Sequence, residues 1–364
     1  MVTASLTTAL LVISLPPALL FLLARRSKRR AAYLPGKIVW ITGASSGLGE
    51  QLAISAAAGG AAGLILSGRR EDALDRVKKA CEETAATCNK GSSKREGGVR
   101  VEVLPFDVAD LEFAEREAAA RAVQLFGSVD ALVLNAGIST RGSVEETPLE
   151  VDKRVMAVNY FGPVALAKGL MRVSPQFSRS PPPPTTTAAA AATKTTTGPP
   201  SSAGVRAGAK SGSEWEGGVR FVVINSVQGK FGMAFRSSYA ASKHALVGFF
   251  DCFRAEHAHR GIGVLNVFPG YVRTSLSVNA LTADGTKHAQ MDATTAKGRD
   301  PREASNHFFK VADEIWQSVA ERKDEVVIAD LKTNVAVLLR ALAPRTLFGI
   351  MAKRALKADA GGAH

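Results

Sequence analysis

From Lys37 onward, short unbroken apolar runs alternate with longer stretches whose apolar residues recur every three or four positions. The runs KIVWIT, GLILS, VRVEVLPFD, VDALVLN, VRFVVIN, GIGVLNVF and DEVVIA have strand length and are rich in Val, Ile and Leu. Between them, EDALDRVKKACEE, a stretch ending near Phe126, residues 148–172 and residues 237–259 carry the helical period. Strands that are apolar at every position must be buried on both faces. Their alternation with helices predicts an α/β, doubly wound, seven-stranded parallel sheet over residues 36–330.

Two polar stretches interrupt the pattern. Residues 174–218 contain PPPPTTTAAAAATKTTTGPP and a Ser/Gly tail, a composition that predicts a disordered insertion. Residues 87–98 form a shorter one. Both lie between a helix and the next strand. They therefore leave from the edge where strands begin, away from the carboxyl edge where ligands bind in such sheets.

Ahead of the sheet, residues 2–24 contain no charged residue, which is enough for one membrane-spanning helix. Arg25, Arg26, Lys28, Arg29 and Arg30 follow within a 25–35 linker and supply five of the +13 net charges. With no basic n-region before it and no small-residue cleavage site after it, the segment reads as an uncleaved single-pass anchor rather than a signal peptide. The one-sided charge puts the main domain on the cytosolic face. Three cysteines among 364 residues form no framework, which suits a reducing compartment. No metal-ligand spacing and no nucleic-acid signature stands out, so neither partner is expected.

Chemistry concentrates after the strands. Thr42, Gly43, Ser45, Ser46, Gly47, Leu48 and Gly49 turn the first strand into a helix. Glycines let backbone approach a pyrophosphate, and a helix N-terminus offers N–H groups and a positive dipole end. After the second strand stand Arg69 and Arg70, where an acid would bind the ribose of NAD. Two guanidiniums there complement a 2′-phosphate, so the expected cofactor is NADP(H). Tyr239 and Lys243 lie four apart on one helix face, where an ammonium favours a phenolate. Ser226 follows the fifth strand.

Taken in order, Gly43-x-x-x-Gly47-x-Gly49, Asn135-Ala136-Gly137, Asn159, Ser226, Tyr239-x-x-x-Lys243 and Pro269-Gly270 resemble the classical short-chain dehydrogenase/reductase family, which has a Rossmann fold. The stretches YAASKHALVGFFDCFRAE and FPGYVRTSLSVNALTADGTKHAQMDATTAKGR resemble a membrane-anchored group within it. The resemblance implies Tyr239 as general acid in ketone reduction, Lys243 as its tuner and ribose ligand, and Ser226 as a hydrogen-bond partner of the substrate oxygen. It further implies a water held by Asn159, adenine flanked by Asp107 and Val108, and a carboxamide positioned by Val272 and Thr274. Asn135, Ala136 and Gly137 would line the cofactor.

The implied activity is NADPH-dependent reduction of a membrane-borne lipid ketone, with acyl- or alkyl-dihydroxyacetone phosphate suggested by the group. A steroid or retinoid dehydrogenase is the alternative enzyme, and a cofactor-binding scaffold without turnover the alternative class. The last residues match no common address signal, so endoplasmic reticulum and peroxisome membranes both stay open. Leu246, Phe249, Phe250, Cys252 and Phe253 form a helix face that suits either a homodimer contact or an intrachain core. His257 and His259, two apart, face different ways and read as surface residues. Residues 331–364 form an apolar-basic C-terminal segment that suits either a membrane surface or packing on the domain.

Overall fold

The computed structural model describes residues 33–89, 98–174, 218–271, 280–282 and 301–360. The apolar segment 2–24, the basic run to Arg30, residues 175–217 of the insertion, and Val272 and Thr274 lie outside the described residues. Among the described residues no helix is long and apolar enough to cross a membrane.

Seven parallel strands form one sheet in the order β3-β2-β1-β4-β5-β6-β7. They are β1 Ile38–Thr42, β2 Gly63–Gly68, β3 Arg100–Pro105, β4 Ala131–Leu134, β5 Arg220–Ile224, β6 Gly263–Pro269 and β7 Glu325–Ile328. The helices are α1 Gly47–Ala58, α2 Glu71–Asn89, α3 (Leu111–Phe113 through Ala119–Phe126), α4 (Leu149–Met156 through Gly162–Val173), α5 Ser237–His257, α6 Pro301–Ala320, α7 Leu331–Leu342 and α8 Pro344–Ala360. Each of α3 and α4 contains one π turn, Ala114–Ala118 and Ala157–Phe161 respectively.

Because successive strand residues point to opposite faces, the apolar runs divide into two cores. Val39, Ile41, Leu64, Leu66 and Val133 pack with Leu52 of α1, Leu74 of α2, and Ile315 and Trp316 of α6. Trp40, Ile65, Leu132 and Phe221 pack with Leu166 and Leu170 of α4 and with Leu246, Phe250 and Phe253 of α5. Trp40 Nε1 donates to Ser67 Oγ at 2.9 Å and Trp316 Nε1 to the Leu52 carbonyl at 3.1 Å, so the largest core side chains leave no indole N–H unpaired.

Three boundaries move. The domain begins before residue 36: Leu34 is buried in the α1–α2 core and the Tyr33 hydroxyl donates to the Asp130 carbonyl. These two residues belong to the body, not to a linker. At the far end, Leu347 of α8 and Val337 and Leu339 of α7 pack on Val227, Phe231 and Phe268, so the C-terminal segment is attached to the same body. The insertion begins beyond Ser174, which is fully buried and ends α4. Gly218 lies so close to the Gly261 carbonyl that a Cβ there would collide with it.

Candidate active site

The register aligns Thr42 with Ser67, Leu134 with Val223, and Ile224 with Val267, which brings the carboxyl ends of the strands to one edge. The order reverses between β1 and β4, and a crevice opens at such a switch point. A cavity of about 600 Å³ lies there. It is lined by residues at or just beyond the carboxyl ends of six strands, among them Gly43, Arg69, Asp107, Asn135, Ser226 and Gly270.

At one end is the glycine turn. Gly43 and Gly47 have φ of 65° and 61°, in the left-handed region that favours glycine. A Cβ on Gly49 would collide with the Gly43 carbonyl. Asn135 Nδ2 donates to the carbonyls of Thr42 and Gly43 at 3.0 and 3.2 Å, and Thr42 Oγ1 accepts from the Asn135 and Ala136 N–H groups. The end of β4 thereby holds the turn at the end of β1. The side chain of Ser46 does not cap α1, so the helix's first N–H groups are available to an anion.

Arg69 and Arg70 line this end of the cavity. Arg70 Nη2 donates to Ser45 Oγ at 3.3 Å, and Arg69 Nη1 lies 3.7 Å from Asp107 Oδ2. A third guanidinium joins them: Arg76 Nη2 donates to the Ser45 carbonyl at 3.3 Å. Arg76 sits two helical turns beyond Arg69 on α2, and its neighbours in the chain do not mark it as facing the turn.

The other end holds the reactive set. Asn225 Oδ1 accepts from the Ser226 N–H at 3.0 Å, and Ser226 Oγ accepts from the Gln228 N–H at 3.1 Å. Tyr239, in the first turn of α5, is buried and shares a hydrogen bond with Ser226. Lys243, one turn later, is buried and donates from Nζ to the Ile224 carbonyl at 2.9 Å.

Burial dominates the proton affinities of this pair. It raises that of the Tyr239 phenol, against which the Ser226 hydrogen bond and the guanidiniums of Arg236 and Arg141 act. It pushes the Lys243 ammonium down to about 8. Spacing alone suggests that Lys243 lowers Tyr239. In the folded protein burial is the largest influence on both groups, and the cations that oppose it at Tyr239 are Arg236 and Arg141. Arg141 is buried, donating from Nη1 to Ser139 Oγ at 2.9 Å and to the Thr140 carbonyl at 2.8 Å. Its main-chain N–H donates to the carbonyl of Leu281, which lines the cavity.

Asn159 lies in the π turn of α4, a widened turn frequent at functional sites. Its Oδ1 accepts from the Ile138 N–H at 2.8 Å, and its Nδ2 donates to the Ile138 carbonyl at 2.9 Å and to Ser242 Oγ at 3.0 Å. With both amide hydrogens engaged, the side chain staples the loop after β4 to the helix of Tyr239 and Lys243. Gly137 stands between Asn159 and Lys243: a Cβ there would lie 3.3 Å from Asn159 Oδ1 and 3.9 Å from Lys243 Nζ.

The remaining expected residues divide. Val108, Ala136, Pro269 and Gly270 line the cavity with the others. Cys252 is exposed rather than core, while Phe250 and Phe253 beside it are buried. His257 is half-buried, its ring stacked on Phe253 at 4.5 Å, and His259 is exposed.

A nicotinamide dinucleotide fits these residues. The crowded glycine turn leaves backbone facing the cavity, and Asn225 Nδ2 is buried there with no hydrogen-bond partner. Fold and site together define the class: the chain belongs to the short chain dehydrogenase family, whose pattern matches residues 37–177 and 213–285. It is an oxidoreductase of the short-chain dehydrogenase/reductase type. It is 41% identical over 332 residues to dehydrogenase/reductase SDR family member 7B of Bos taurus, covering 90% of this chain and 84% of that one. It is 38% identical over 355 residues to the dehydrogenase/reductase SDR family protein 7-like of Drosophila melanogaster, covering 97% and 91%. A short chain dehydrogenase from Burkholderia cenocepacia in complex with NADP shares the fold at 18% identity, with a TM-score of 0.56 over 87% of this chain and 98% of that one.

Proposed function

We propose that this protein is an NADPH-dependent carbonyl reductase acting on a membrane-borne lipid ketone. The observation that carries this reading is the placement of Ser226, Tyr239 and Lys243 at one end of a cavity whose other end holds the glycine turn with Arg69 and Arg70. Gly43, the N–H groups opening α1, Asp107, Asn135 and Lys243 would hold the dinucleotide, with Arg69 and Arg70 on its 2′-phosphate. When bound, NADPH supplies the hydride that the carbonyl carbon receives.

The chain's own residues manage the oxygen. Ser226 Oγ–H donates to the carbonyl oxygen and fixes it beside Tyr239. The Tyr239 phenol gives that oxygen its proton as charge develops there. Lys243, held by the Ile224 carbonyl, stabilises the phenolate left behind. Ile138, Val158 and Leu281 give the cavity an apolar wall suited to a long or bulky substrate.

The membrane part of the proposal rests on residues 2–24 as a single-pass anchor in the endoplasmic reticulum or peroxisome membrane, with the basic run keeping the catalytic domain cytosolic. Acyl- or alkyl-dihydroxyacetone phosphate is the proposed ketone. The test is NADPH consumption by the purified full chain in detergent, offered lipid ketones, steroids and retinals. Turnover confined to steroids or retinals would replace the lipid reading with the second enzyme class. Tight NADPH binding without turnover of any of them would leave a scaffold.

A further inference from the structure

Helix α7 carries two apolar faces, and the body of the protein fills one. Ala336, Val337 and Leu339 pack on the cluster of Val227, Phe231 and Phe268. On the other side Leu331, Val335, Leu338 and Leu342 are 77%, 46%, 57% and 75% exposed. At 3.6 residues per turn these four fall within an arc of about 60°. They form a stripe along the whole helix, not scattered surface residues. In α8, Phe348 and Leu356 are exposed as well. A contiguous solvated apolar surface of this kind marks an interaction site.

Charge identifies the partner. From Leu331 to Ala358 the chain carries Lys332, Arg340, Arg345, Lys353, Arg354 and Lys357 and no acidic residue. An apolar stripe in a strongly basic segment, with Asp359 at the end of α8 its one acidic residue within the two helices, matches an anionic bilayer surface, which offers apolar depth under negative headgroups. Long basic side chains reach those headgroups while their stems stay apolar.

The stripe also starts at the cavity. Gly270, on the cavity wall, donates from its N–H to the Ile328 carbonyl at 2.9 Å. A Cβ on Gly270 would lie 2.9 Å from the Ala329 Cβ. Asp330 then caps α7, its side chain accepting from the Thr333 N–H, and Leu331 opens the stripe.

We propose that α7 and α8 form a docking surface for an anionic bilayer, with the stripe of Leu331, Val335, Leu338 and Leu342 buried at the headgroup boundary. Docking brings the Gly270 side of the cavity to the lipid surface, which an anchor at the other end of the chain does not by itself accomplish. The inference does not depend on which ketone is reduced or on turnover at all.

The experiment uses the full chain with Cys88→Ser and Cys252→Ser, reconstituted in phosphatidylcholine vesicles with or without 30% phosphatidylserine. An environment-sensitive fluorophore is placed at Leu338→Cys, or at Glu83→Cys on α2 as a control. Nitroxide-labelled lipid is the quencher. The expected result is blue-shifted emission and strong quenching at position 338 in anionic vesicles, several-fold weaker quenching in neutral ones, and none at position 83. Lys353→Glu with Arg354→Glu should cut the quenching at 338 without changing NADPH binding. Emission at 338 that stays polar and unquenched would overturn the proposal. So would blue-shifted emission that nitroxide lipid does not quench, because another part of this chain or a second copy then covers the stripe. Equal quenching in neutral and anionic vesicles would overturn the anionic specificity.

Discussion

The Lys243 ammonium lies 5.7 Å from the centre of the Tyr239 ring while it donates to the Ile224 carbonyl at 2.9 Å. The cation is therefore fixed by β5 rather than by the phenol, and the two groups are set at a constant separation by one helical turn and one strand end. Burial raises the proton affinity of the phenol and lowers that of the ammonium to about 8, so the same dry environment drives the two apart and favours the neutral form of each.

Removing only the phenolic hydroxyl tests the acid. Tyr239→Phe should lower kcat by about 10²- to 10⁴-fold, the usual contribution of a positioned acid, and leave the NADPH dissociation constant nearly unchanged. Lys243→Ala should damage both. Wild-type turnover by Tyr239→Phe on every accepted ketone would remove Tyr239 from this role.

The pH dependence follows from Lys243. Its folded value of about 8 lies below the ordinary 10.5, so between these the unfolded chain binds more protons than the native one. Native stability due to this group therefore rises with pH from about 8 to about 10.5, and the penalty of the buried charge is fully present below that window. In urea melts, Lys243→Met should be the more stable protein at pH 7 and should lose that advantage by pH 10. Ketone reduction should decline as pH rises through about 8, where the ammonium is lost. A constant stability difference across this range would contradict the burial argument.

Cofactor choice rests on exposed guanidiniums. Charge-assisted hydrogen bonds contribute about 1.5–3 kcal/mol, less where solvent screens them. Replacing Arg69 and Arg70 together by Ala should weaken NADPH binding by about 10- to 100-fold with little change for NADH. Equal dissociation constants for the two cofactors in the unmodified protein, measured by calorimetry, would rule out a 2′-phosphate site here.

Deleting residues 180–210 should leave activity and melting temperature almost unchanged. Ser174 closes α4, and the Arg220 main-chain N–H donates to the Asp130 carbonyl at the amino edge of the sheet, the edge away from Ser226. Loop-closure cost varies slowly with length. A deletion variant that melts normally but has lost its activity would show that the insertion reaches the site.

A truncation should keep Tyr33 and Leu34, for example by beginning at Ala31, since these two residues are tied to Asp130 and the α1–α2 core. That shortened enzyme should keep its rate on a short-chain, water-soluble ketone and lose efficiency on a bilayer-embedded one. Unchanged turnover of the embedded ketone in liposomes would show that residues 2–24 do not serve substrate access. Protease protection in intact microsomes or peroxisomes tests the topology separately: a fully protected domain would reverse the cytosolic assignment.

Much of this protein is written locally. The apolar runs around Val39, Leu132 and Val222 demand burial on both faces, and only a parallel sheet covered by helices supplies it. Gly43, Gly47 and Gly49 mark the turn because side chains cannot occupy their conformations or their crowding, and Tyr239 and Lys243 share a face because the helix repeats every 3.6 residues. Such features depend on neighbours in the chain and can be read there. Other features depend on which strand ends become neighbours in space, and only the fold decides them. Arg141 opposes the effect of burial on Tyr239 because the loop after β4 converges on the start of α5, and Arg76 joins the glycine turn because α2 lies over it. Asn159 becomes a staple because a π turn brings it to Ile138 and Ser242. Burial itself, the dominant influence on Tyr239 and Lys243, is a property of the packed whole: no residue carries its own dielectric environment in its sequence.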